Sequence, residues 1–266
     1  MDVMKFQKWQ GAGNDFIVLD NRNHQADGLD SQKINRLCDR HFGIGADGLI
    51  LMSEPDAGYD FNMLFFNPDG FPAEMCGNGG RCITAMAYEL GMIGRTSLFL
   101  ASDGPHEAKV VHSGWIRLKM KECERVDKVE LVEKVEGYFL NTGVPHLVLF
   151  VDSIEGIDVE QVGRKYRYDA RFAPNGTNVN FVQVLGNNLK VRTYERGVER
   201  ETLACGTGNI AAAIAAEWLY NSGLAEYECQ ALGGNLKVSF KRQLSGSFTD
   251  VWLAGPAVKV YEGNFL

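Results

Sequence analysis

Two long apolar segments stand out along the chain, one in each half, against a background of short stretches where hydrophobic and polar residues alternate. The first, CGNGGRCITAMAYELGMIG, covers residues 76–94, and the second, CGTGNIAAAIAAEWLYNSG, covers residues 205–223. Their Ala, Ile, Met and Leu residues leave no polar stripe, so a helix formed here is apolar on nearly all sides and must be wrapped by other elements. The spacing from Cys76 to Gly94 equals that from Cys205 to Gly223, and each glycine suits a left-handed C-cap. The pattern predicts two buried helices, each opening at a Cys-Gly-x-Gly turn.

The surroundings repeat as well. Ahead of Cys76, residues 49–52 and 61–66 read as strands, followed by the turn Asn67-Pro68-Asp69-Gly70. Ahead of Cys205, residues 179–184 and 189–194 read as strands joined through Gly186-Asn187-Asn188. Earlier still, the apolar run 15–20 corresponds to 146–152, and each leads to a shorter polar helix, near 31–41 and 158–166. Three more strands follow each buried helix, at 97–101, 107–111 and 115–120 in the first half and at 227–232, 236–240 and 249–253 in the second. A unit of roughly 120 residues is too long for a solenoid repeat and fits two homologous domains. The expected fold class is α+β, with two domains that each wrap a mixed or antiparallel sheet or barrel around a central buried helix. Their expected bounds are 1–125 and 126–266, with the junction in the charged stretch 122–136 and the last strand able to pack on the first domain.

Composition narrows the class of partner. With 266 residues, 45% of them hydrophobic, the chain can bury a sizeable core. Its net charge is −7 and no dense Lys/Arg run interrupts it, which argues against nucleic acid and anionic membrane surfaces as partners. The start, Met1 to Lys5, lacks the charged-then-apolar order of a signal segment, and no apolar run is long enough to span a bilayer, so a cytoplasmic protein is expected. Cys38, Cys76, Cys82, Cys123, Cys205 and Cys229 show no C-x-x-C spacing, so neither a metal site nor a disulfide framework is expected. Cys38, Cys82, Cys123 and Cys229 read as small buried hydrophobes.

Cys76 and Cys205 differ, because each sits where a glycine-rich turn becomes a helix. A helix start offers unpaired N–H groups and a partial positive charge, which bind anions and favour a thiolate. Two such thiols serving one substrate form a proton-transfer site made only of protein groups. Inverting an α-carbon without a cofactor needs a base on one face and an acid on the other, and a thiolate with a facing thiol supplies both. Glycine at 77, 79, 206 and 208 leaves the backbone open to a substrate carboxylate. One C-G-x-G tetrapeptide would be weak support; the duplication makes a pair of it.

The chain resembles the diaminopimelate epimerase family over nearly its full length. The residues that carry the match are Gly11-Ala12-Gly13-Asn14-Asp15-Phe16, Gly43-Ile44-Gly45-Ala46-Asp47-Gly48, Phe66-Asn67-Pro68-Asp69-Gly70, Met75-Cys76-Gly77-Asn78-Gly79-Gly80-Arg81-Cys82, Pro145-His146, Tyr194-Glu195-Arg196-Gly197 and Ala204-Cys205-Gly206-Thr207-Gly208. The resemblance implies a pyridoxal-phosphate-independent isomerase of a small amino acid, with no cofactor, that converts LL-2,6-diaminopimelate to the meso form in lysine and cell-wall precursor synthesis. It implies that Cys76 and Cys205 are the acid/base pair and that Gly77-Asn78 and Gly206-Thr207 bind the α-carboxylate. Asn14, Asn67, Asn178 and Arg196 match substrate contacts, Arg196 as a clamp on the distal carboxylate, and Glu195 and His146 match polar residues that tune or assist the thiols. Dimers occur among the proteins it resembles, so a homodimer is open.

On residue type alone other roles stand beside these. Asn14, Asn67 and Asp47 suit turns, His146 suits a satisfied structural histidine, and Arg196 with Glu195 suits a surface ion pair. Two positions depart from the family's pattern: Val144 precedes Pro145-His146 where relatives often carry Asn, and Gly48 stands where some carry a side chain. A racemase of proline or hydroxyproline, a redox protein joining Cys76 to Cys205, and a non-reacting amino-acid binder are the competing readings. The last gives no reason for two activated thiols.

Overall fold

Each half of the chain folds around one of the two apolar helices, in a computed structural model that describes residues 3–73 and 75–265; Met1, Asp2, Glu74 and Leu266 lie outside the described residues. The chain divides into one unit that runs up to Leu118 and resumes at Gly255, and a second formed by Lys119–Ala254. The division thus falls ahead of the charged stretch 122–136, which is itself partly strand rather than linker.

In the first unit the order is β1 (Met4–Gly11), β2 (Asn14–Asp20), α1 (Ser31–Cys38), β3 (Gly48–Ser53), β4 (Asn62–Phe66), β5 (Pro72–Ala73), α2 (Gly77–Glu89), β6 (Thr96–Ala101), β7 (Gly104–His112) and β8 (Trp115–Lys119). The second unit holds β9 (Val126–Glu130), β10 (Glu136–Asn141), β11 (Pro145–Phe150), α3 (Val159–Arg167), β12 (Asn178–Leu185), β13 (Asn188–Glu195), β14 (Arg200–Thr202), α4 (Gly206–Tyr220), β15 (Glu226–Ala231), β16 (Gly234–Arg242) and β17 (Phe248–Pro256). The last strand, β18 (Val258–Phe265), returns to the first unit and pairs antiparallel with β1.

Strand pairing carries the duplication further than the sequence does. In the first unit β1–β2 is antiparallel, β2–β3 parallel, β3–β4 antiparallel and β4–β6 parallel. In the second, β10–β11, β11–β12, β12–β13 and β13–β15 repeat that alternation step for step. Each parallel pair needs a crossover: α1 and α3 lie in those of β2–β3 and β11–β12, and α2 and α4 in those of β4–β6 and β13–β15, with α1 capped by Asp30 on the Lys33 amide and α3 by Asp158 on the Gln161 amide. Even the flanking strands match, since β18 lies beside β1 as β9 lies beside β10.

Both faces of each sheet are covered, which explains why the strands are buried without a clean alternation. Ile17, Leu19, Leu49 and Leu51 pack with Ile34 and Cys38 of α1, while Leu147, Leu149, Val179 and Phe181 pack with Val159 and Tyr166 of α3. The opposite face meets the central helices, of which α2 is buried from Asn78 through Ala87 and α4 from Gly208 through Glu217.

The helices end earlier than the expected glycines. Gly91, at φ +68°, closes α2 by donating to the Tyr88 carbonyl while Met92 donates to Ala87, a Schellman arrangement that leaves Gly94 outside. At the end of α4 the left-handed C-cap is Asn221 (φ 47°), two residues ahead of Gly223, which is itself left-handed at φ +74°. Just before it, Glu217 is 2% exposed, and its carboxylate accepts hydrogen bonds from Ser222 Oγ (2.5 Å), Tyr227 OH (3.0 Å) and the Gly223 amide (3.1 Å) and faces Arg242 at 3.5 Å. Burial works against its charge, but these donors outweigh burial and hold the carboxyl below its ordinary value. A carboxyl depressed in the folded state contributes stability above its unfolded pKa and loses it as pH falls. Glu217→Gln is therefore expected to lower stability by about 1–3 kcal/mol near pH 7. That deficit should shrink at about pH 4 and below, where wild-type Glu217 also takes up a proton. Urea denaturation of both proteins at the two pH values checks this.

Candidate active site

Cys76 and Cys205 are the N-cap residues of α2 and α4, both in extended backbone conformation (φ −91°, ψ 126° and φ −104°, ψ 111°). Their carbonyls accept the first helical bonds, from Gly80 at 2.7 Å and Asn209 at 3.0 Å, while neither thiol caps its own helix. The first-turn amides, at 77–79 and 206–208, cannot bond within the helix and present partial positive charge. Each helix start is thus suited to an anion beside a thiol. Two short hairpins, β4–β5 and β13–β14, deliver the chain to these points.

Around Cys76 the polar groups are fixed by charge. Asp47 Oδ2 can only accept, so the Asn14 amide turns its Nδ2 to it at 2.8 Å and leaves Oδ1 toward Cys76 Sγ (3.5 Å) and Asn78 Nδ2 (3.2 Å). Asn78 in turn accepts from Arg81 at 2.7 Å, which sets its own orientation. Arg81 is fully buried, and burial draws its guanidinium below the usual value. Behind Asp47, Arg40 bridges Asp47 and Asp15, and Asp15 also pairs with the buried Lys8 at 2.7 Å. Burial opposes the Asp15 charge, yet Arg40 and Lys8 hold its carboxyl far below the usual carboxylate range.

Around Cys205 the groups are hydroxyls, an amide and an imidazole. Thr207 Oγ1 lies 3.5 Å from Cys205 Sγ and 2.9 Å from His146 Nε2, and the Thr207 carbonyl accepts from Thr142 Oγ1 at 2.9 Å. His146 is 0% exposed; burial, with a further push from Arg196, brings its pKa down to about 3 against the pull of the Asn180 hydrogen bond. The ring is neutral at physiological pH. Parallel pairing of β11 with β12 sets His146 opposite Asn178, whose Oδ1 accepts from the Arg196 backbone amide at 2.7 Å. Glu195, just ahead, accepts from Thr202 at 2.9 Å, and burial raises its pKa.

Sequence-expected residues therefore gather in two sets: Asn14, Cys76, Gly77 and Asn78 in the first unit, and His146, Asn178, Glu195, Arg196, Cys205, Gly206 and Thr207 in the second. Asn67 sits in the exposed turn that Gly70 closes by donating to the Asn67 carbonyl. At Gly48 a Cβ would lie 2.7 Å from the Phe66 carbonyl oxygen and 2.5 Å from the Phe65 ring, so the packing of β3 on β4 requires glycine there. The remaining thiols are buried, and burial pushes Cys38 and Cys123 to about 11 and Cys82 and Cys229 to about 12. Asp47 is more than a turn residue, because it sets the orientation of Asn14. Arg40, Asn180 and Thr193 were not singled out by the sequence; polar residues inside apolar strands are the signal that marks the latter two.

This fold is shared with solved structures of low sequence identity. A solved PhzF-family phenazine biosynthesis protein from Bacillus anthracis superposes with a TM-score of 0.76 at 15% identity, covering 100% of both chains. A hydroxyproline epimerase from Agrobacterium vitis superposes with a TM-score of 0.66 at 15% identity, covering 98% of this chain and 92% of that one. The sequence is more specific. The diaminopimelate epimerase family model matches residues 6–126 and 138–260. Diaminopimelate epimerase of Flavobacterium psychrophilum is 45% identical over 97% of this chain and 99% of its own length, and that of Aquifex aeolicus is 41% identical over 98% and 97%. The chain belongs to the diaminopimelate epimerase family, and it is an isomerase.

Loss of the Asp47 carboxylate would free the Asn14 amide to rotate and withdraw its oxygen from Cys76 and Asn78. Asp47→Ala is expected to lower kcat/KM about tenfold to a hundredfold, the equivalent of one charge-assisted hydrogen bond. Steady-state kinetics on a variant with unchanged circular dichroism checks this; unaltered kcat/KM would show that Asn14 keeps its orientation without Asp47.

Proposed function

We propose that the protein inverts one α-carbon of LL-2,6-diaminopimelate to give the meso isomer, with Cys76 and Cys205 acting on opposite faces of that carbon. The supporting observation is that each cysteine is the N-cap of a buried helix and its thiol makes no cap hydrogen bond to that helix. One cysteine, as thiolate, takes the α-proton. The electron pair left behind delocalises into the α-carboxylate, which the amides of Gly77-Asn78 and Gly206-Thr207 hold and stabilise. The other cysteine, as thiol, returns a proton to the opposite face, and the negative charge ends on its sulfur. No electron acceptor enters the balance, and none is called for.

Arg196 offers a planar guanidinium to the distal carboxylate, where two parallel hydrogen bonds fix orientation as well as charge. Glu195 suits an ammonium group of the substrate, since a cation beside it offsets the burial that raises its pKa. Asn14, Asn67 and Asn178 complete the polar contacts. Two reactive thiols must stay reduced between turnovers, which suits the cytoplasm. Among the described residues no helix is long and apolar enough to cross a membrane.

In D₂O, with reductant and without pyridoxal phosphate, the purified protein is expected to place deuterium at the α-carbon of LL-diaminopimelate as the meso isomer forms. Cys76→Ser and Cys205→Ser should each reduce kcat by about 10²–10⁴-fold, the usual worth of a positioned acid or base, whereas Cys38→Ser should leave it unchanged. Mass spectrometry and chiral chromatography read both. Product formed without solvent deuterium would exclude the two-thiol proton transfer.

A further inference from the structure

We infer that Asn180, held in place by Thr193, is a positioning residue that sets the tautomer of His146 and so aims the hydroxyl hydrogen of Thr207 at Cys205. This rests on Cys205 being one of the two acid/base thiols. Asn180 lies on β12, opposite Val148 in the parallel register with β11, and is 0% exposed. Its Nδ2 sits 3.0 Å from the Leu147 carbonyl oxygen and 3.1 Å from His146 Nδ1, and its Oδ1 accepts from Thr193 Oγ1 at 2.9 Å. The Leu147 carbonyl can only accept, so a flipped Asn180 would set two oxygens against each other in a buried place. The amide nitrogen therefore faces the ring.

A ring nitrogen that receives a hydrogen bond carries no proton of its own. His146 is neutral, so its single N–H is on Nε2 and donates to Thr207 Oγ1 at 2.9 Å. With that acceptor site filled, the Thr207 hydroxyl has its own hydrogen to give, and Cys205 Sγ lies 3.5 Å away. A hydrogen bond donated to sulfur favours the thiolate. The opposite tautomer would make Nε2 an acceptor and turn the same hydrogen away from Cys205. Thr193 is 3% exposed and His146 0%, so bulk water does not compete for these groups. The last residue of the Cys-Gly-x-Gly turn serves the same arrangement, because a Cβ at Gly208 would overlap Asn180 Oδ1 and lie 3.2 Å from Thr193 Oγ1.

Two readouts that need no turnover test this. In long-range ¹H–¹⁵N spectra of protein labelled with ¹⁵N-histidine, His146 should show the neutral Nε2–H form, and the Nδ1–H form would overturn the inference. Iodoacetamide alkylation of Cys205, followed by peptide mass spectrometry against pH, supplies the second. Asn180→Asp places an acceptor against Nδ1 and reverses the ring, so it should move the Cys205 alkylation midpoint up by about one pH unit while that of Cys76 stays. It should lower kcat about tenfold with little change in KM. Thr207→Val should give the same shift and make a further Asn180→Asp change silent; a shift that persists undiminished in Thr207→Val would overturn the relay. If Asn180→Asp does not fold, the wild-type spectrum and the Thr207→Val midpoint still decide. Failure of the α-deuterium experiment with these readouts intact would count against the epimerase reading and leave the relay standing.

Discussion

A helix buried along its length still has a first turn of N–H groups that no residue of that helix can satisfy. In this protein the constraint is met twice in the same way: a cysteine occupies the N-cap without capping, and small residues keep the first turn accessible. The sheets, the crossover helices and the entering hairpins all serve to place those two helix starts. Burial of the apolar body of α2 and α4 fixes them in place, and the turn that precedes each carries polar groups. An anionic carboxylate suits such an end, and the thiol stands beside it.

The central helices and most of their flanking strands were legible because their patterns are local. What escaped was written in contacts between distant residues. β1 carries Lys8 in the middle of its buried stretch, and only the pairing with Asp15 and the Gly45 carbonyl makes that burial acceptable. β9 and β10 begin in the charged run that reads as the domain junction, since their polar residues face outward. The closing glycines misled because Gly91 and Asn221 reach the left-handed region first. At the site, the cysteines and glycines announce themselves by repetition, whereas Asp47 and Asn180 acquire meaning only when the strands bring Asn14 and His146 to them.

The two thiols, alike in sequence, meet neighbours of opposite polarity. Asn14 turns a carbonyl oxygen to Cys76, an orientation enforced by a carboxylate and a guanidinium. Thr207 turns a hydroxyl to Cys205, backed by an imidazole and an amide. The first arrangement is anchored in charge, around a half-buried Cys76; the second is built from uncharged hydrogen-bonding groups, around a buried Cys205. Arg81, buried within the turn that follows Cys76, adds a positive charge that has no counterpart at the same place in α4, where the chain has Ile210. The proposed reaction has both sulfurs exchange roles in each turnover, and each has neighbours of its own kind.

The glycines at 79 and 208 occupy equivalent places, and their surroundings are unlike. A Cβ at Gly79 would press on Ile50 at 2.9 Å, with Met63 and Phe16 beyond, whereas at Gly208 it would strike Asn180 and Thr193. One glycine preserves apolar packing and the other preserves a hydrogen-bonded array. The halves of this duplicated chain are therefore no longer interchangeable parts. A protein assembled from two copies of either half would keep the strand order and the helix starts, but it would lose one of the two chemical environments in which the proposed acid and base stand.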